Sequence, residues 1–209
     1  MRNMDLRRML LAAMFLALAL LLPFLTAQNY MLGQMLLPMH IPVLLCGFIC
    51  GPAWGMAVGL VAPLLRFLLL SAPPMPTALT MAFELATYGL LAGLFYRILP
   101  KKVGFLFVAL ILAMVGGRIV WGAATYAVYA VGFSESALTW QTFASGAVLT
   151  AWPGILIQIA LIPTLMIALR KTKIIQEVTQ NGNKRAAAAA SAPVSGNADA
   201  GSGQANLSE

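Results

Sequence analysis

The feature that most restricts this chain is a series of apolar runs long enough to cross a bilayer, with basic residues gathered at their ends. A helix rises about 1.5 Å per residue, so about 20 residues cross a hydrocarbon core about 30 Å thick. Runs at 8–27, 77–97, 103–131 and 142–169 meet that length. The chain has 209 residues, 61% of them hydrophobic and only 9% charged, where soluble domains carry about 25% charged residues. A core built from so short a chain cannot enclose that much apolar surface, so lipid must cover much of it. The formal net charge of +7 is then a topology signal, and no nucleic-acid partner is expected. The first run has a signal-like basic start, but it is long, has no clear small-residue cleavage site and is followed by further spans. It reads as a retained first helix of a multi-pass protein of the cell membrane.

Residues 40–70 are too long for one straight span and contain Pro52 and Pro63. Charge resolves them. The basic clusters are Arg2/Arg7/Arg8, Arg97/Lys101/Lys102 and Arg170/Lys171/Lys173. One span over 40–70 puts the first two clusters on opposite sides of the membrane. Two short spans meeting near CGPAWG put all three clusters in the cytoplasm. The expectation is an all-α integral membrane bundle of six transmembrane helices over residues 1–170, with both termini inside. A span as short as 40–51 must then be shielded by its neighbours or joined to the outer loop before it. Residues 171–209 turn polar and then low-complexity Ala/Ser/Gly, which predicts a disordered cytoplasmic tail.

Gly47, Gly51, Gly55 and Gly59 recur every four residues, a spacing that lets helices approach closely in lipid, where packing replaces the hydrophobic effect. Cys46 and Cys50, one turn apart in the same apolar stretch, read as small buried hydrophobes.

Three charged residues lie deep inside spans: Arg66, Glu84 and Arg118. Counting about 1.5 Å per residue from each span's end puts all three in the outer half of the membrane. A charge in lipid is costly, so such residues turn inward and find partners. Glu84 is therefore expected beside an arginine. Two readings follow. In one, Glu84 and one arginine clamp the packing while the other arginine snorkels to the interface. In the other, the set lines a cavity, and two arginines against one carboxylate leave a positive charge for an anionic ligand. The surplus charge favours the second. Tyr88 is one turn after Glu84, Trp121 is close behind Arg118, and Trp152 belongs to the outer half of the last span. Aromatic walls with a few polar groups suit a small-molecule pocket. His40, the single histidine, serves either as a pocket wall or as a loop anchor. Asn29 and Gln34, in the outer loop, are candidate caps.

The chain has no Walker motif, no HExxH and no GxSxG with a partner histidine. No enzyme activity, cofactor or metal is expected. ATP hydrolysis, if any accompanies its action, is not by this chain itself.

The segment LPMHIPVLLCGFICGPAWGMAVGLVAPLLR, followed by MAFELATYGLLAGLFYRIL, resembles the substrate-binding S components of energy-coupling factor (ECF) vitamin transporters, and looks most like the pantothenate-type branch. The resemblance covers residues 1 to about 170. It implies six helices, cytoplasmic termini and a vitamin site near the outer face. It also implies a transmembrane T component and two ATPase subunits as partners. The S component binds its vitamin outside, topples within the membrane and releases it inside. In that family a small-xxx-small patch on the first helix meets the T component, and Ala13 and Ala17 match it. Pantothenate is the first candidate ligand, with nicotinate and other vitamins as alternatives, and a neutral or cationic ligand as a further one if Glu84 leads recognition. The competing classes are a self-sufficient carrier or channel, and a membrane enzyme with an unrecognised site.

Overall fold

A computed structural model of the chain describes residues 2–26, 35–100, 102–131 and 152–170. The segment 171–209 and the first part of the run at 142–169 lie outside the described residues. Helix α1 spans Arg2–Leu21 and tightens into a 3-10 turn over Leu22–Thr26. Helices α2 (His40–Cys50), α3 (Pro52–Leu70), α4 (Met75–Ile98), α5 (Val103–Ala130) and α6 (Trp152–Arg170) follow. Among the described residues, α1 with its 3-10 extension and α3 to α6 are long and apolar enough to cross a membrane. The 11 residues of α2 rise only about 16 Å.

The stretch 40–70 divides at Gly51. Its backbone sits at φ 103°, which favours a residue without a Cβ. Its amide donates to the Gly47 carbonyl at 3.1 Å and closes α2. Pro52 then opens α3, where its fixed φ and missing N–H do no harm. A Cβ on Gly51 would also strike the Arg97 guanidinium, so the turn lies against the end of α4.

Helix α2 is enclosed. His40 and Pro42 to Cys50 are all buried, and α1, α3, α4 and α6 pack around them. That enclosure is what lets a helix too short to span exist in lipid. It depends on backbones in contact. A Cβ on Gly47 would meet the Gly89 carbonyl oxygen, and one on Gly55 would come within 2.6 Å of both the Gly47 Cα and the Gly89 oxygen. A Cβ on Gly59 would strike the Leu85 carbonyl, and one on Gly93 would lie 2.5 Å from the Pro52 nitrogen. The pairs Pro52/Gly93, Gly55/Gly89 and Gly59/Leu85 run in opposite senses, so α3 and α4 are antiparallel. The close packing expected from the glycine spacing is present at Gly47, Gly55 and Gly59. Gly51 makes the turn. Gly89 and Gly93, the matching small residues on α4, have the same spacing and were not anticipated.

The outer surface is apolar. Leu68, Val115, Ile119 and Leu156 are exposed, as a lipid-facing surface requires. On α1, Ala12, Phe15 and Ala19 face the core, while Ala13 and Ala17 lie on the exposed side with Leu10 and Met14. Cys46 and Cys50 are free thiols in the buried core.

A side chain at the crossing should be costly. Gly89→Val is expected to lower the thermal midpoint of the detergent-solubilised chain, since overpacking costs about 1–3 kcal/mol or more. Gly104→Ala is the control, because a Cβ there meets nothing within 4 Å. Equal midpoints for the two variants would rule out the backbone contact.

Candidate functional site

The site is assembled from the helices that surround the start of α2. Glu84 lies in the first half of α4 with 2% of its surface exposed. Its Oε1 is 3.3 Å from Nη1 of Arg118 on α5 and 3.6 Å from Nε2 of His40, the first residue of α2. One carboxylate oxygen thus faces two basic groups from two other helices. Tyr88, one turn along α4, sets its ring edge-on to His40, with centroids 5.1 Å apart and planes at 62°. The room for that ring comes from Gly117, where a Cβ would lie 2.5 Å from two ring carbons. The next residue, Arg118, holds its guanidinium carbon 5.7 Å from the centroid of the Trp121 ring, a cation–π contact. Arg66 on α3 donates from Nη1 to the Met39 sulfur at 3.6 Å. Met39 precedes His40, so Arg66 borders the same cluster.

The expectation that Glu84 has an arginine neighbour is met by Arg118. Arg66 adjoins the cluster through Met39. No contact joins it to Glu84 among the described residues. The antiparallel register is the reason: Leu85 is level with Gly59, so Arg66 lies about 9–10 Å further along α3. His40, Tyr88 and Trp121 come together as described. Trp152 does not join them: it is 55% exposed at the first residue of α6. Asn29 and Gln34 lie outside the described residues.

The cluster has charge and hydrogen-bonding capacity left over. Arg118 answers Glu84, and the thioether of Met39 cannot answer the charge of Arg66. Among the described residues, both ring nitrogens of His40, Oε1 of Glu84, Nε of Arg66, and Nε and Nη2 of Arg118 are buried without a hydrogen-bond partner. So are Oγ1 of Thr125, two turns past Arg118 on α5, and both amide atoms of Gln158 on α6. Gln158 was missed in the sequence. The signal that could have found it is the one that marked Glu84, a polar residue inside an apolar span. Chemically, the arrangement offers guanidinium donors and an aromatic wall, which suits a small anion. Among the described residues, no three His, Cys, Asp or Glu side chains gather to hold a metal ion.

Long apolar helices around an enclosed polar cluster define a multi-pass membrane protein with an internal polar site. The sequence matches the family described as ECF transporter, substrate-specific component, over residues 7–166. The chain belongs to that family. The family is one of transport components, and ECF systems generally join a substrate-specific subunit to T and ATPase components. No curated protein and no solved structure matches the chain. The match begins at Arg7 and ends within α6, so it takes in the whole cluster.

Breaking the central pair should show its coupling. Glu84→Leu leaves Arg118 facing an apolar wall and is expected to cost about 3–5 kcal/mol, read as a lower unfolding midpoint in detergent. Glu84→Leu combined with Arg118→Leu should regain most of that loss. A double variant that merely sums the two single losses would show that the groups do not interact.

Proposed function

We propose that the chain captures an anionic vitamin or vitamin precursor, with pantothenate as the first candidate, and delivers it to an ATP-driven module. The ligand's anionic group meets Arg66. His40, Tyr88, Trp121 and the Glu84–Arg118 pair form the walls. The observation that carries this reading is the charge of Arg66, which no described residue beside it balances, set against buried polar atoms that have no hydrogen-bond partner among the described residues. A buried donor without an acceptor is destabilising, and an anion supplies several acceptors at once. The reading takes six spans with both termini in the cytoplasm, which the three basic clusters favour, and with them this end of the bundle faces outside.

Helix α1 is the surface proposed for the T component. Ala13 and Ala17 are both exposed, and two small residues one turn apart make a flat patch on which another helix can settle. The two ATPase subunits act through that partner.

Two measurements test the reading. By titration calorimetry, Arg66→Ala is expected to weaken pantothenate at least tenfold, about 1.4 kcal/mol; wild-type affinity in that variant would detach Arg66 from the site. In co-expression with a T component and its ATPases, Ala13→Trp or Ala17→Trp should abolish co-purification while ligand affinity stays unchanged. Retention of the module by both variants would move the docking surface elsewhere.

A further inference from the structure

Among the described side chains of α6, Gln158 is the one polar group that is fully buried, at 1% exposure. Its Oε1 and Nε2 both lack a hydrogen-bond partner. It stands on a stripe of buried residues four apart, Gly154, Gln158, Ile162 and Met166, so this is the face that α6 turns into the bundle. There α6 packs against α2 and α5, the helices that carry His40 and Arg118. The register is fixed at Gly154, where a Cβ would lie 2.5 Å from the Met35 carbonyl oxygen and 3.0 Å from the Leu36 carbonyl carbon. Gln158 follows one turn further along α6, about 6 Å, on the buried side of a helix that packs against those of His40 and Arg118.

A buried carboxamide with both atoms idle is unfavourable in the empty protein, and an apolar residue of the same size would fill the space better. A carboxamide differs from Arg66 in what it selects. It presents a donor and an acceptor side by side and carries no charge, so its complement is a neutral group that also offers both. We infer that Gln158 is a specificity-determining residue that reads an amide, or an equivalent adjacent donor and acceptor, on the ligand whose anionic group meets Arg66. This rests on the reading that the cluster binds an anionic ligand. It narrows the ligand class from small anions to anions that carry an amide-like group, and so disfavours simple aromatic carboxylates.

The test uses the full chain in detergent and a two-by-two comparison. Wild type and Gln158→Leu are each titrated with pantothenate, which has a carboxylate and an amide, and with its analogue in which the amide is replaced by an ester. Wild type should bind the ester at least tenfold more weakly. Gln158→Leu should bind both alike, each at least tenfold more weakly than wild type binds pantothenate. The empty variant should melt at the wild-type temperature or above, because the idle amide is gone. A lower melting temperature for the empty variant would assign Gln158 a structural hydrogen bond and overturn the inference. So would an ester penalty that persists in Gln158→Leu, or pantothenate binding that the substitution leaves unchanged. If pantothenate binding is lost in Arg66→Ala yet unchanged in Gln158→Leu, the anion site stands and only the amide reader falls. If wild type does not bind pantothenate, the proposed ligand falls, and the inference with it.

Discussion

Everything in this molecule hangs on a helix that is too short for its surroundings. The 11 residues of α2 cannot cross the hydrocarbon core, and lipid supplies no hydrogen bonds to the chain at its ends. The helix persists because α3 and α4 close on it until main chains touch at Gly47, Gly55 and Gly89, with α1 and α6 sealing the remaining sides. In lipid, where apolar side chains gain little by leaving their surroundings, such close contact is a main source of association.

The same shortness creates the site. A full-length helix would begin at the membrane surface. Helix α2 begins inside the bundle, so its first residue, His40, lies 3.6 Å from a carboxylate in the interior of α4. Arg118 from α5 reaches the same carboxylate, and Arg66 from α3 reaches Met39, the residue before His40. Packing below and polarity above are therefore two results of one constraint. A substrate-specific component needs both: a body stable in lipid, and an interior in which polar groups await a solute.

Much of this was legible in the sequence, and the omissions have physical reasons. Span lengths follow from hydropathy, and basic clusters at their ends divided residues 40–70 near the turn at Gly51. The Glu84 partner followed from the cost of an unpaired charge in lipid. Depth counting gives a layer but not a rotation, which is why it grouped Trp152 with the pocket although that side chain is largely exposed. It also cannot foresee the helix register that sets Arg66 beside Met39 and away from Glu84. Gln158 escaped because a carboxamide inside a span carries no formal charge to mark it, yet once buried it obeys the same demand for partners. Gly89 and Gly93 escaped because the repeating glycines of α2 and α3 drew attention to one side of a crossing that needs small residues on both.

The choice between a clamp and a binding site decides the whole account. A clamp would balance its charges and use its hydrogen bonds within the protein. Among the described residues, this cluster leaves Arg66 beside a thioether and several buried polar atoms without hydrogen-bond partners. The most direct measurement is native mass spectrometry of the full chain, released gently from its membrane and incubated with a mixture of vitamins. The account predicts a species heavier than the bare chain by the mass of one small organic anion, and its loss in Arg66→Ala. A bare chain throughout, with the vitamins in excess, would contradict it and make the cluster a structural clamp.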